Sequence, residues 1–140
     1  MNVNDVKIED IGVISKDMLQ SIFDKQGKLM IKYHDIEKES GLLQTEDCPV
    51  NINDNKGQSR LKDFAWRITE ELGEAMNCLK NKPWKQTHMI TDETHYQEEL
   101  IDALHFFVEL LILSGMTAED VYRMYCKKSE VNKFRQRSKY

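Results

Sequence analysis

The segment Glu99–Leu113, ELIDALHFFVELLIL, decides how this chain folds. Apolar residues nearly encircle it: Leu100, Ile101, Leu104, Phe106, Phe107, Val108, Leu110, Leu111, Ile112 and Leu113. A helix that is apolar on most sides is expected to be central and buried. One strip of this helix nevertheless carries Glu98, Glu99, Asp102, His105 and Glu109. Carboxylates there need a partner, a metal ion or a cleft, because an uncompensated charge away from water is costly. The pattern predicts a helix from about His95 to Ser114.

Outward from that segment, a second helix is expected from about Ser59 to Lys80. Leu61, Phe64, Ala65, Ile68, Leu72, Ala75 and Leu79 form its apolar stripe. At 100° per residue, Glu71 lies beside the stripe and Glu74 one step further round. Glu71-x-x-Glu74 and Glu99-x-x-Asp102 are thus two carboxylate pairs, each spaced to share one helix face. The first pair alone reads as a solvated helix surface. The second does not, because it lies on the most apolar helix of the chain. Four converging carboxylates repel one another unless a cation sits among them. All-oxygen ligation suits a hard divalent ion such as Mg²⁺ or Mn²⁺. Both pairs together predict a metal site between two packed helices, shaped to hold phosphates.

The remaining elements are also helical. A helix from about Lys16 to Glu37 carries Met18, Leu19, Ile22, Phe23, Leu29, Met30 and Tyr33 on one stripe. Gly41 ends it, and an irregular stretch rich in Asn, Asp and Gly runs to Ser59, with Asn55-Lys56-Gly57 read as a turn. Asn81 to Thr94, with Lys82-Pro83-Trp84-Lys85, reads as a loop. Gly115 suits the left-handed position that closes the central helix, and Thr117 caps the next one. No segment alternates as a strand would. The expected fold is an all-α bundle of four main helices, with short extra turns near the N-terminus.

Composition narrows the function. The chain has 140 residues, enough for one domain, expected over 1–140. Twenty basic and 24 acidic residues give a net charge of −4, which does not favour general nucleic-acid binding. Six basic residues lie between Lys127 and Tyr140 against one acid, Glu130, while the carboxylates concentrate mid-chain. That asymmetry suits a metal–polyphosphate ligand; it also suits a solvated basic helix end. Cys48, Cys78 and Cys126 are odd in number and lack a CxxC spacing, as in reduced intracellular proteins. The opening MNVNDVKIED has no basic-then-apolar leader pattern, and the run from Phe106 to Leu113 is too short to span a bilayer. A soluble, cytoplasmic chain with no membrane partner is expected.

These motifs resemble the all-α NTP pyrophosphatase superfamily, in particular the dimeric dUTP diphosphatases and the phage dCTP/dUTP pyrophosphatases. The resemblance covers about Ser21 to the C-terminus and is strongest from Glu99 to Tyr140. Asp102-x-x-His105-Phe106, Gly115-Met116, Trp84-Lys85 and the late pattern Lys128, Asn132, Arg135, Gln136 and Tyr140 carry it. Ser129 and Lys139 depart from it, where the family often has Asn and Gly. The resemblance implies two or three Mg²⁺ ions, a nucleotide substrate cut between its α- and β-phosphates, a homodimer and a phage-like origin. It implies Glu71, Glu74, Glu99 and Asp102 as metal ligands, with Glu71 also orienting the attacking water as general base. Gln26, Trp84, Lys85, Lys128, Asn132, Arg135 and Tyr140 become the expected substrate contacts. Lys85, Lys128 and Arg135 suit phosphate oxygens, and Gln26 and Asn132 suit sugar or pyrimidine edges. His105, one turn after Asp102, is placed to hydrogen-bond to it.

Three rivals remain at this stage. A broader MazG-like pyrophosphatase would share the acids without the tail motif. A ferritin-like di-iron protein would need Glu-x-x-His on two helices, and only Asp102-x-x-His105 is present. A non-enzymatic helical interaction module would use the acids as solubilising charge.

Overall fold

The computed structural model describes residues 2–12 and 15–138. Two short 3-10 turns, Val3–Asp5 and Ile8–Ile11, precede four helices: α1 (Met18–Glu39), α2 (Asn55–Cys78), α3 (Glu93–Leu113) and α4 (Ala118–Arg137). No strand occurs among the described residues. The all-α expectation and the four helices hold.

Each helix starts at a side-chain cap that satisfies an otherwise unpaired backbone N–H. Asp17 caps α1, Asp54 caps α2 and Asp92 caps α3. At α4, Thr117 and Asp120 form a reciprocal capping box, as the sequence around Thr117 led one to expect. Gly115 takes φ +83° just beyond α3, a left-handed conformation that suits glycine.

Asn55-Lys56-Gly57 is not the turn expected from its composition; it forms the first turn of α2. Asp54 Oδ1 accepts the Gly57 N–H at 2.6 Å, which starts the helix there. Glycine is required for a different reason than a turn. A Cβ on residue 57 would lie 1.9 Å from the Asn51 carbonyl oxygen, so only a bare backbone fits.

The core is centred on α3. Met30, Val50, Phe64 and Leu113 are buried together, with Leu61, Phe106, Leu110 and Ile112 packed against them. Phe23, Val108 and Ala118 form a second cluster. Val50 N–H donates to the Leu113 carbonyl at 2.9 Å and ties the α1–α2 connection to the end of α3. Phe64 lies between two guanidinium groups, with Arg60 4.9 Å and Arg67 4.5 Å from its ring centroid. Both arginines pair with Glu37 of α1. Burial works against the charge on Glu37, but hydrogen bonds from Arg60 and Arg67 outweigh it and hold its carboxyl below the ordinary range.

The expectation that α3 is buried on most sides needs correction. Ile101, Leu104 and Phe107 are exposed along one face, and Leu72 and Leu79 of the α2 stripe are exposed as well. The reason is the path of α4. It leaves α3 at 101° and packs through its first turns, by Ala118 and Val121, against Phe23 and Leu19. Among the described residues, no fourth helix therefore covers that face of α3. Among the described residues, no single helix is long and apolar enough to cross a membrane.

Candidate active site

The two carboxylate pairs meet where α2 and α3 run against each other. Glu71, Glu99 and Asp102 each offer an oxygen within 4.8 Å of the others. Glu74, exposed on α2, is not one of these three but lies close enough to Glu99 for that carboxyl to raise its proton affinity. Glu99 is the hub: it is buried, and its Oε2 has no hydrogen-bond partner. Its Oε1 lies 3.6 Å from His95 Nε2, one turn earlier on α3.

The electrostatics follow from this crowding. The Glu71 carboxyl is pushed up to about 7, first by burial, then by a hydrogen bond with Glu99 and the charges of Glu74, Asp102 and Glu99. Glu74 is raised chiefly by its hydrogen bond with Glu99. Asp102 is raised by burial and then by the charge of Glu99. Each neighbouring charge that acts on Glu71 is itself a carboxylate. An orphaned buried oxygen among acids that raise one another's proton affinity is the environment a divalent cation relieves. The donor set, carboxylate oxygens alone from Glu71, Glu99 and Asp102, fits a hard ion.

Two cavities border the acids. One, of about 440 Å³, is lined by Glu74 and Glu99 together with Asn77, Lys80, Asp92 and His95, among others. The other, of about 310 Å³, holds Asp102, His105 and Glu98 beneath Asn2, Val3 and Val6 of the N-terminal turn. Val3 N–H donates to Glu98 Oε1 at 2.8 Å, so Glu98 anchors the N-terminal segment beside Asp102.

The other expected contacts are distributed unevenly. Gln26 is buried between α1 and α3, where its amide bonds to Glu109 and His105. His105 pairs with Gln26 rather than with Asp102; its Nδ1 lies 2.9 Å from Gln26 Oε1. Trp84 and Lys85 sit in the α2–α3 loop, with Trp84 74 % exposed and its ring 5.3 Å from Lys82 Nζ. Neither lines the two cavities at the acids. Lys128, Asn132 and Arg135 are exposed on α4 and do not line them either. Tyr140 and Lys139 lie outside the described residues. Sequence reasoning did not assign His95, although its i,i+4 spacing to Glu99 signals it. It also left Glu109 without a role, although an acid inside the run FFVELLIL was a visible anomaly.

An all-α chain whose two central helices hold clustered carboxylates defines a class of helical, acid-lined proteins. Within that class the chain belongs to the dUTPase family, whose pattern it matches over residues 18–114. It is also 33 % identical over 94 residues to a dCTP pyrophosphatase of Enterobacteria phage LZ5, covering 53 % of this chain and 55 % of that protein. The chain thus spans about half the length of this curated relative. No solved structure matches the chain. The family match contains all four acids and Gln26, Trp84 and Lys85, and ends before α4.

Proposed function

We propose that this chain hydrolyses a pyrimidine deoxynucleoside triphosphate, dUTP or dCTP, to the monophosphate and pyrophosphate, using Mg²⁺ or Mn²⁺. The observation that supports the reading is the convergence of Glu71, Glu99 and Asp102 from two helices around an unpartnered buried oxygen, with Glu74 beside Glu99. Family membership and the likeness to a phage dCTP pyrophosphatase support it.

Glu71, Glu74, Glu99 and Asp102 hold the metal in this reading. A divalent ion held there would supply neutralisation of phosphate charge and a more acidic water. Glu71, less buried than Glu99, accepts the proton of the attacking water. The water oxygen bonds to the α-phosphorus, the bond from that phosphorus to the bridging oxygen breaks, and pyrophosphate leaves with the electron pair. Lys85, Lys128 and Arg135 serve the phosphates, Trp84 covers the base, and Gln26, Asn132 and Tyr140 serve the base and sugar.

A homodimer belongs to the same proposal. The exposed Ile101, Leu104 and Phe107 of α3, with Tyr122, Tyr125 and Phe134 of α4, offer the apolar surface a second copy would cover. The chain would act in the cytoplasm, on free nucleotide, without nucleic acid or membrane as partner.

The test is a panel of nucleotides assayed for pyrophosphate release with Mg²⁺. Turnover of dUTP or dCTP that disappears on chelation, and in Asp102→Ala, is the expected result. Full turnover by Asp102→Ala, or turnover of neither pyrimidine, would overturn it.

A further inference from the structure

Beyond the acids, α1 and α3 enclose a cavity of about 400 Å³ walled by Ile22, Leu29, Ile101, Leu104 and Val108. Lys25, Gln26 and His105 are the polar residues on a lining that is otherwise apolar. Ile101 and His105 also line the cavity that contains Asp102, so the two cavities are neighbours on α3. An apolar slot with a few fixed polar groups is the usual form of a site for a flat heterocycle.

Gln26 is 3 % exposed, and both ends of its amide are engaged from behind. Nε2 donates to Glu109 Oε2 at 3.1 Å. Oε1 lies 2.9 Å from His105 Nδ1, which donates when the ring is protonated at that nitrogen. Glu109 is 2 % exposed, and its other oxygen, Oε1, faces His34 Nε2 at 3.6 Å. Neither of those two atoms has a hydrogen-bond partner, so Gln26 makes the hydrogen bond that Glu109 receives between α1 and α3.

We infer that Glu109 is a positioning residue for base selectivity, acting through Gln26 to fix which of the two pyrimidines the pocket accepts. The inference rests on the proposed nucleotide reading and adds a residue and a mechanism to it. A carboxamide has two N–H donors and two acceptor lone pairs. One of each is spent on Glu109 and His105, leaving one donor and one acceptor in a fixed order. Uracil and cytosine present opposite orders at N3 and the exocyclic position at C4. Uracil offers a donor then an acceptor; cytosine offers an acceptor then a donor. For a base in one pose, a freely flipping glutamine serves either, and a locked one serves a single base. An ionised carboxylate accepts hydrogen bonds and cannot donate them, so it holds Nε2 toward itself and forbids the flip. A buried mismatch leaves polar groups unpaired, which is how hydrogen-bonding sites reject near-isosteres.

Burial pushes the Glu109 carboxyl up to about 7, against the charges of Arg60 and Arg67 and the hydrogen bond from Gln26. Assays are therefore run above that value, where the group accepts only. The test has two arms. In the wild type, kcat/KM for dUTP and dCTP should differ by about tenfold or more, the scale of a lost buried hydrogen bond. Glu109→Gln, nearly the same shape but able to donate or accept, should move that ratio toward one, through KM rather than kcat. In the second arm, without nucleotide, the Gln26 side-chain amide should show slowed hydrogen exchange by NMR in the wild type and fast exchange in Glu109→Gln. An unchanged ratio in a folded Glu109→Gln protein, a wild type that treats both bases alike, or an unprotected Gln26 amide overturns the inference and leaves the pyrophosphatase reading intact. Loss of all turnover in the wild type, with Gln26 still protected, overturns the pyrophosphatase reading and takes the selectivity claim with it.

Discussion

The α2–α3 pair and helix α4 are of similar length, yet they stand in opposite relations to water. Helices α2 and α3 pack along each other, bury Phe64, Ala75 and Ala103, and bring Glu71, Glu99 and Asp102 together. Helix α4 buries Ala118 and then runs outward with Tyr122, Met124, Tyr125, Val131 and Phe134 exposed. The family match follows the same division, covering α1 to α3 and stopping before α4. The contrast teaches that the proposed metal chemistry is complete within one chain, whereas the proposed α4 contacts need something to bring them to it.

The sharpest way to break that contrast is at its chemical end. Glu99→Ala removes the hub of the cluster and should lower turnover at least about a hundredfold, the scale of losing one fixed electrostatic group at a reacting centre. Steady-state pyrophosphate release with Mg²⁺ measures it. If Glu99→Ala keeps wild-type turnover, the acids of α2 and α3 are not the reaction centre.

The packing end comes next. Phe64 is fully buried between Arg60, Arg67 and Phe106. Phe64→Ala should destabilise the fold by about 3–5 kcal/mol, the range for a large aromatic removed from a core. Urea unfolding reads this directly. A loss below about 1 kcal/mol would mean that α2 is held to α3 by something other than this cluster.

How much of this was readable beforehand differs along the same line. The acids were legible because two i,i+3 pairs on helical segments constrain where side chains go, whatever the rest does. The caps at Thr117 and Gly115 were legible because local backbone chemistry sets them. Gly57 was misread because its role comes from the Asn51 backbone, six residues away and invisible to a local turn rule. The burial of α3 was overestimated because periodicity reports which faces are apolar, not which are covered. The Glu109–Gln26–His105 chain joins residues 83 and 79 positions apart, and spacing within one helix carries no signal of that.

A smaller effect tests the electrostatics of the cluster. Glu71 has an ordinary value of 4.5 and is raised to about 7 in the fold, and Glu109 behaves alike. The folded state thus holds protons that the unfolded chain releases between those values. By linkage, metal-free stability is highest below about 4.5 as far as these groups act, and falls as pH rises toward and through 7. Mg²⁺ should flatten this slope, because it binds the ionised cluster and so stabilises the fold at the upper end. Glu71→Gln should flatten it without metal. Thermal unfolding across that window, with and without chelator, makes the comparison. A slope that is unchanged by both Mg²⁺ and Glu71→Gln would place the titrating groups elsewhere.

The smallest effect belongs to α4 and bears on whether a second copy covers it. Tyr125 is 72 % exposed, so within one chain Tyr125→Ser should change stability by no more than about 0.5 kcal/mol. The dimer proposal adds a consequence that a solvated helix lacks. Exposed aromatic side chains at an interface carry a large share of its binding energy, so the same substitution should weaken self-association measurably by sedimentation. It should also make the melting temperature less dependent on protein concentration, since only an assembly that dissociates as it unfolds follows mass action. A wild-type chain that sediments as a monomer at every concentration, with Tyr125→Ser indistinguishable from it, would leave α4 as a solvated helix. Lys128, Asn132 and Arg135 would then have no route to the nucleotide by way of a partner, and the proposed site would contract to the acids, the α2–α3 loop and Gln26.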